Sequence, residues 1–166
     1  MRIINNKKFI AIVIIFLIVI AAFLIFILTI NYSKRSNIQC KNQLRDFFPL
    51  IVNYCIENKK TPICFNDILN PWGNNQKEIA LTFGCPQYVK SHSSDNSSGY
   101  IFVPWKVKDY EEIPNNAPLI YDKSFSTHKD GVYVLTAKHG AVIFITDKNY
   151  FLKFKKINDN IIIPED

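Results

Sequence analysis

The alternation of apolar and polar positions divides the chain into three stretches. Residues 1–8 form a short tail carrying Arg2, Lys7 and Lys8. From Phe9 to Ile30 there is no charge, no Pro and no Gly, and Thr29 is the one polar residue. A helix needs about 20 consecutive apolar residues to cross a bilayer core of about 30 Å. A core helix of a globular protein keeps a polar face, which this run lacks. The run therefore predicts a transmembrane helix bounded by Phe9 and Ile30. It exceeds the roughly 7–15 apolar residues of a signal peptide, and Asn31-Tyr32-Ser33-Lys34 is a poor cleavage site. The pattern predicts an uncleaved anchor followed by one domain, 31–166.

Beyond the span the apolar residues become periodic. Cys40, Leu44, Phe47, Phe48, Ile51, Val52, Cys55 and Ile56 recur at three- and four-residue steps. Such spacing predicts a helix over Asn31–Asn58 with one buried stripe. Pro49 predicts a kink or a restart near Arg45–Pro49, because proline removes a backbone donor and crowds the preceding turn. Pro62 ends the pattern. Phe65–Leu69 reads as one helical turn, Asn70–Asn75 as a turn, and Glu78–Phe83 as a short strand leading to Cys85-Pro86. Ser91–Gly99 has no apolar residue and reads as an exposed loop.

The remainder reads as strands. Tyr100–Val103 and Pro118–Tyr121 are two, separated by a loop at 106–116. Val132–Ala137 and Ala141–Ile145 flank Lys138-His139-Gly140, a spacing that predicts a hairpin with Gly at positive φ. Thr146 is placed to cap a final helix whose apolar face is Tyr150, Phe151, Phe154 and Ile157. The expected fold class is α+β: a long N-terminal membrane-spanning helix continuing into a helix packed on a small antiparallel sheet.

Charge narrows the functional classes. Of 166 residues, 20 are Lys or Arg and 14 are Asp or Glu, a net charge of +6. Every acidic residue follows the span, and the basic residues there are scattered. A nucleic-acid interface would cluster them on one face, so no nucleic-acid partner is expected. Basic residues flank the span on both sides, so charge alone does not orient it. The four cysteines, Cys40, Cys55, Cys64 and Cys85, are separated by 14, 8 and 20 residues. This spacing lacks the close pairs of a zinc knuckle and suits disulfides in an oxidising compartment. The expected topology is therefore single-pass, with the C-terminal domain outside the cytoplasm.

Several short segments, in order, resemble a known family. They are Cys40-Lys41-Asn42-Gln43-Leu44, Phe83-Gly84-Cys85-Pro86, Gly99–Val103, Pro118–Lys123, His128, Asp130–Leu135 and the Gly140 hairpin. Together they resemble the pilin-like proteins of planctomycete-type bacteria. That family carries Cys-x-Asn-x-Leu after the membrane helix, Cys-Pro in mid-chain, and His, nine residues, then Asp-Gly. The resemblance covers Ser36 to Leu152. Nine residues after His128 come Lys138, His139 and Gly140 in place of Asp-Gly. The resemblance implies a pilin-like fold, a location in a bacterial inner (cytoplasmic) membrane, and a part in a type II secretion or type IV pilus-like assembly with other such subunits as partners. It also implies the pairing Cys40–Cys85, with Cys55 and Cys64, extra to the family pattern, joined to each other. The family's Glu five residues into the apolar run is missing here. Its absence implies a protein that stays in lipid, and Asn5-Asn6-Lys7-Lys8, which lacks the small residue at which such proteins are trimmed, implies a retained N-terminus. The alternative reading is a single-pass anchored binding module outside any filament.

No residue pattern points to catalysis. There is no nucleophile elbow, P-loop or dinucleotide fingerprint. His128, Asp130 and His139 could be drawn together as a metal or acid–base cluster, but turn polarity with one orienting hydrogen bond explains them more simply. Asp109, Glu111 and Glu112 lack the spaced oxygen ligands of a calcium loop. Trp72 and Trp105 read as core. The expectation is a non-enzyme with no cofactor, no metal and no identified small-molecule substrate, whose partner is membrane lipid.

Overall fold

The computed structural model describes residues 4–69, 82–92 and 97–166. Helix α1 runs Ile4–Asn58 and continues through Pro49, so of the kink or restart expected there, the restart does not occur. Proline costs the carbonyl of Arg45 its helical donor, but the turns on either side stay helical. The helix is long and apolar enough to cross a membrane, near the N-terminus. From Phe9 to Ile30 every residue is exposed.

Contacts divide the chain between Ser36 and Asn37. Within the second unit, α1 shows the predicted stripe. Cys40, Leu44, Phe47, Ile51 and Cys55 are buried, while Phe48 and Val52 are half-buried. Ile56, expected on the same stripe, is exposed. The helix ends as Lys59 turns left-handed at φ 55°, its N–H still bonded to Cys55 O at 2.9 Å. Thr61 then ties the chain to the sheet layer. Its Oγ1 donates to Val103 O at 2.7 Å and accepts from Trp105 N–H at 2.6 Å.

Four strands follow: β1 Tyr100–Phe102, β2 Pro118–Asp122, β3 Val132–Thr136 and β4 Val142–Ile145. They form one antiparallel meander in the order β1-β2-β3-β4. The fold is thus α+β, with a helix packed on a small antiparallel sheet as expected. All of β2 is buried. Alternation along the strand sends successive side chains to opposite faces. Tyr121 meets Phe151 of the final helix at 4.8 Å between ring centroids, and the next residue, Asp122, turns toward His128.

The predicted hairpin is present. His139 and Gly140 take φ 57° and 64° in the turn. Gly140 is needed for a second reason: a Cβ there would fall 2.5 Å from Cγ of Phe48 on α1.

The differences from expectation lie between the cysteines and at the C-terminus. Helix α2, Phe65–Leu69, was expected. Helix α3, Pro86–Ser91, was not; its Pro86 sits at the first turn, where proline needs no N–H. The turn expected at Asn70–Asn75 lies outside the described residues, as does most of the strand expected at Glu78–Phe83. Thr82 and Phe83, at its described end, are helical. Helix α4 spans Asn149–Lys155, not from Thr146. Asp147 supplies the local stop instead, its Oδ1 accepting from Asn149 N–H at 2.8 Å. Phe151 and Phe154 are buried as predicted, whereas Ile157, past the helix end, is exposed.

Candidate functional site

The most concentrated chemistry lies in the core of the second unit. Cys40 comes from the buried stripe of α1, Cys85 from the residue preceding α3, and Asp122 from the end of β2. His128 closes a 3-10 turn, Phe125–His128. Ser124 starts that turn by accepting Ser126 N–H at 3.2 Å. Lys129 and Asp130 end it with left-handed backbone, φ 55° and 68°. All four site residues are buried.

The distances are short. Cys40 Sγ lies 2.8 Å from Cys85 Sγ. His128 Nε2 lies 3.3 Å from Cys85 Sγ and 3.3 Å from Asp122 Oδ2. Its other nitrogen, Nδ1, lies 3.0 Å from Asn37 Oδ1. The same Asn37 oxygen accepts from Gln87 Nε2 at 2.7 Å. Asp122 Oδ2 also accepts the Tyr133 N–H at 2.6 Å, while Asp122 Oδ1 has no partner among the described residues. An oxygen acceptor at each ring nitrogen makes both nitrogens of His128 donors, the pattern of an imidazolium.

The electrostatics agree with that pattern. Burial alone would lower the His128 pKa, but the hydrogen bond and charge of Asp122, with Cys85 adding to them, raise it to about 9. Burial pushes the Asp122 carboxyl above its usual range, against the pull of His128 and the Tyr133 N–H. The Cys85 thiol is pushed up by its hydrogen bond with Cys40 and by burial, with His128 opposing.

Cys40, Cys85 and His128 offer three ligand atoms within 4.8 Å of one another. A tetrahedral zinc ion with bonds of about 2.3 Å holds two thiolates roughly 3.8 Å apart. The sulfurs here, at 2.8 Å, are too close to share such an ion. The arrangement suits thiol–disulfide chemistry.

The other residues singled out in the sequence lie elsewhere. Lys138 and His139 line a cleft of about 320 Å³ with Phe48, Val52, Tyr110 and Ile113. Asp130 is exposed, so His128, Asp130 and His139 do not form one cluster. Cys55 is buried on α1 and Cys64 is exposed; all four cysteines are free thiols in this structure. Glu112 caps its own loop by accepting Lys108 N–H at 3.1 Å. Trp105 is core, with Nε1 donating to Pro118 O at 2.9 Å, and Trp72 lies outside the described residues.

Sequence reasoning missed Asp122, Asn37 and Gln87. Asp122 carried a signal: an acid ending an apolar strand shares the buried face of Ile120 by the two-residue period. Asn37 and Gln87 carried none, because nothing local marks which partner they reach.

No protein family, curated protein or solved structure matches this chain. The architecture, a long apolar N-terminal helix and a helix packed on a small antiparallel sheet, is consistent with a pilin-like fold.

Proposed function

We propose that this is a permanently membrane-anchored, pilin-like protein whose unit Asn37–Asp166 works outside the cytoplasm of a bacterium. There it serves as an accessory or binding module beside the subunits of a type IV pilus-like or type II secretion assembly. It is not an enzyme. The observation that carries the reading is the surface of Phe9–Ile30: apolar, exposed on every side, and free of any acid.

A subunit that leaves the bilayer for a filament needs a means of setting register among bundled apolar helices. An acid in lipid is costly unless paired, so a helix that keeps one is using it. This helix has none. Its many Ile and Val residues suit lipid, and it lacks the small-xxx-small spacing that lets helices approach closely. The cleft beside Lys138 and His139 gives the folded unit a concave face that a partner could use.

Shearing of expressing cells, followed by antibody against the folded unit, tests this. The protein is expected in the membrane fraction. Abundant protein in the sheared fibres would replace the accessory reading with that of a structural subunit.

A further inference from the structure

We propose that Cys40 and Cys85 form a reversible thiol–disulfide site, in which His128 is the proton donor that makes Cys85 the leaving sulfur, and whose co-reactant is a small thiol or its disulfide. The inference concerns the unit Asn37–Asp166 and does not depend on the pilus-accessory reading.

Two observations carry it. The sulfurs are 2.8 Å apart and fully buried, too close for a shared tetrahedral metal and near enough to bond with a small adjustment. The pair is also electrically lopsided: His128 Nε2 hydrogen-bonds Cys85. Both cysteines are 0% exposed, so exposure does not decide which sulfur an incoming thiolate attacks. Exchange requires local opening, and its direction then follows the better leaving sulfur. Burial opposes a thiolate on Cys85, and the hydrogen bond that raises its pKa in the reduced pair is lost once Cys40 carries the incoming sulfur; His128 Nε2–H, 3.3 Å away, is placed to protonate Cys85 Sγ as the bond breaks.

The surrounding groups keep that donor charged. Asp122 of β2 holds the imidazole, and Asn37 of α1 accepts from its far side. Tyr133 of β3 lies with its ring 4.9 Å from the His128 ring. Tyr100 of β1 and Cys40 of α1 are the other titratable groups facing the site, and burial first, then Asp122, keeps the Tyr100 hydroxyl protonated.

The reduction balances as follows. A small thiolate attacks Cys40 Sγ, forming a mixed disulfide there and breaking the Cys40–Cys85 bond. The electron pair leaves on Cys85 Sγ, which takes the proton from His128 Nε2. A second small thiolate attacks the bound small-thiol sulfur, releasing the oxidised small disulfide and the Cys40 thiolate, which is protonated by water. His128 regains its proton from solvent. Two electrons pass to the protein, and oxidation is the reverse.

The test uses the full chain in detergent, purified without reductant. Unreduced peptide mapping is expected to show Cys40 joined to Cys85. Limiting reduced glutathione, followed by an acid quench and mapping, is expected to place the glutathione adduct on Cys40 over Cys85 by about tenfold at pH 7. His128→Asn is expected to bring that ratio close to one. Mere loosening of the core would speed exchange at both sulfurs and leave the ratio unchanged. The wild-type ratio stands by itself if the variant fails to fold. Absence of the Cys40–Cys85 bond would overturn the proposal. So would an adduct shared equally or mainly on Cys85, or a stoichiometric metal holding both thiols.

Discussion

The two parts of α1 solve the same problem in opposite ways. Phe9–Ile30 is apolar on every side and exposed on every side, while Asn37–Asn58 is apolar along one stripe and buried only there. A helix satisfies its own backbone in either setting, so the difference lies entirely in side chains. In the first part the apolar surface has no protein partner among the described residues, and lipid is the solvent it suits. In the second part the partner is the sheet layer, reached by Phe47 on Tyr100 at 6.3 Å and by Phe48 on Gly140. The comparison teaches that apolar content does not decide what a helix does; its distribution around the axis does.

Four substitution experiments and one titration probe this contrast. The largest effect is expected in the span. Ile18→Arg with Ile20→Arg should oppose insertion by roughly 5–7 kcal/mol in sum and move the protein out of the carbonate-resistant membrane fraction. Arginines at the exposed Gln39 and Asn42 should leave fractionation unchanged. Next comes the stripe. Leu44→Ala should cost about 2–5 kcal/mol of unfolding free energy in urea titration, because Leu44 is fully buried.

The link from α1 to the sheet layer is third. Thr61→Val keeps the volume but removes the hydroxyl between Val103 O and Trp105 N–H, and should cost about 1–3 kcal/mol. A thermal melt of the variant checks this.

The titration addresses His128. Its folded pKa, about 9, lies above the ordinary value of 6.5. The stability it contributes is complete below pH 6.5 and is lost as pH rises through 9. The melting temperature of the wild-type protein should therefore fall across that window. A flat profile between pH 6.5 and 9 would remove the charged histidine from the account. Burial of Tyr100 and the environment of Cys85 place their titrations at higher pH, outside the window. The smallest effect is expected at Ile56, on the predicted stripe but exposed. Ile56→Ala should change stability by no more than about 0.5 kcal/mol.

The parts legible in the sequence were those with a repeating local cause. The apolar run, the helical stripe and the Gly-containing hairpin each follow from a period or a turn residue, and the structure has all three. Ile56 misled because period alone does not say where the sheet layer stops covering the helix; by Lys59 the chain has already turned away. Helix α3 was missed because six residues give too little periodicity, and Pro86 reads equally as a break or as a first turn. In the site, the meeting of Cys40 with Cys85 was suggested only by family resemblance. The network around His128 was hidden because Asn37, which accepts from His128, and Gln87, which donates to Asn37, are ordinary polar residues whose roles depend on tertiary placement.

The meander order of the sheet also sets a timetable for the chain as it is made. Strand neighbours in space are neighbours in sequence, so each strand can dock on its predecessor as soon as it emerges. The stripe of α1 has no such advantage. Leu44, Phe47 and Ile51 are synthesised long before β1 and β2, which share their core. Over that interval a newly made chain carries a bare apolar stripe just beyond a helix long and apolar enough to cross a membrane, the kind of transient surface that aggregates unless sheltered. Glu165, which pairs with Ser124, is made after all four strands, so that contact forms later than the sheet.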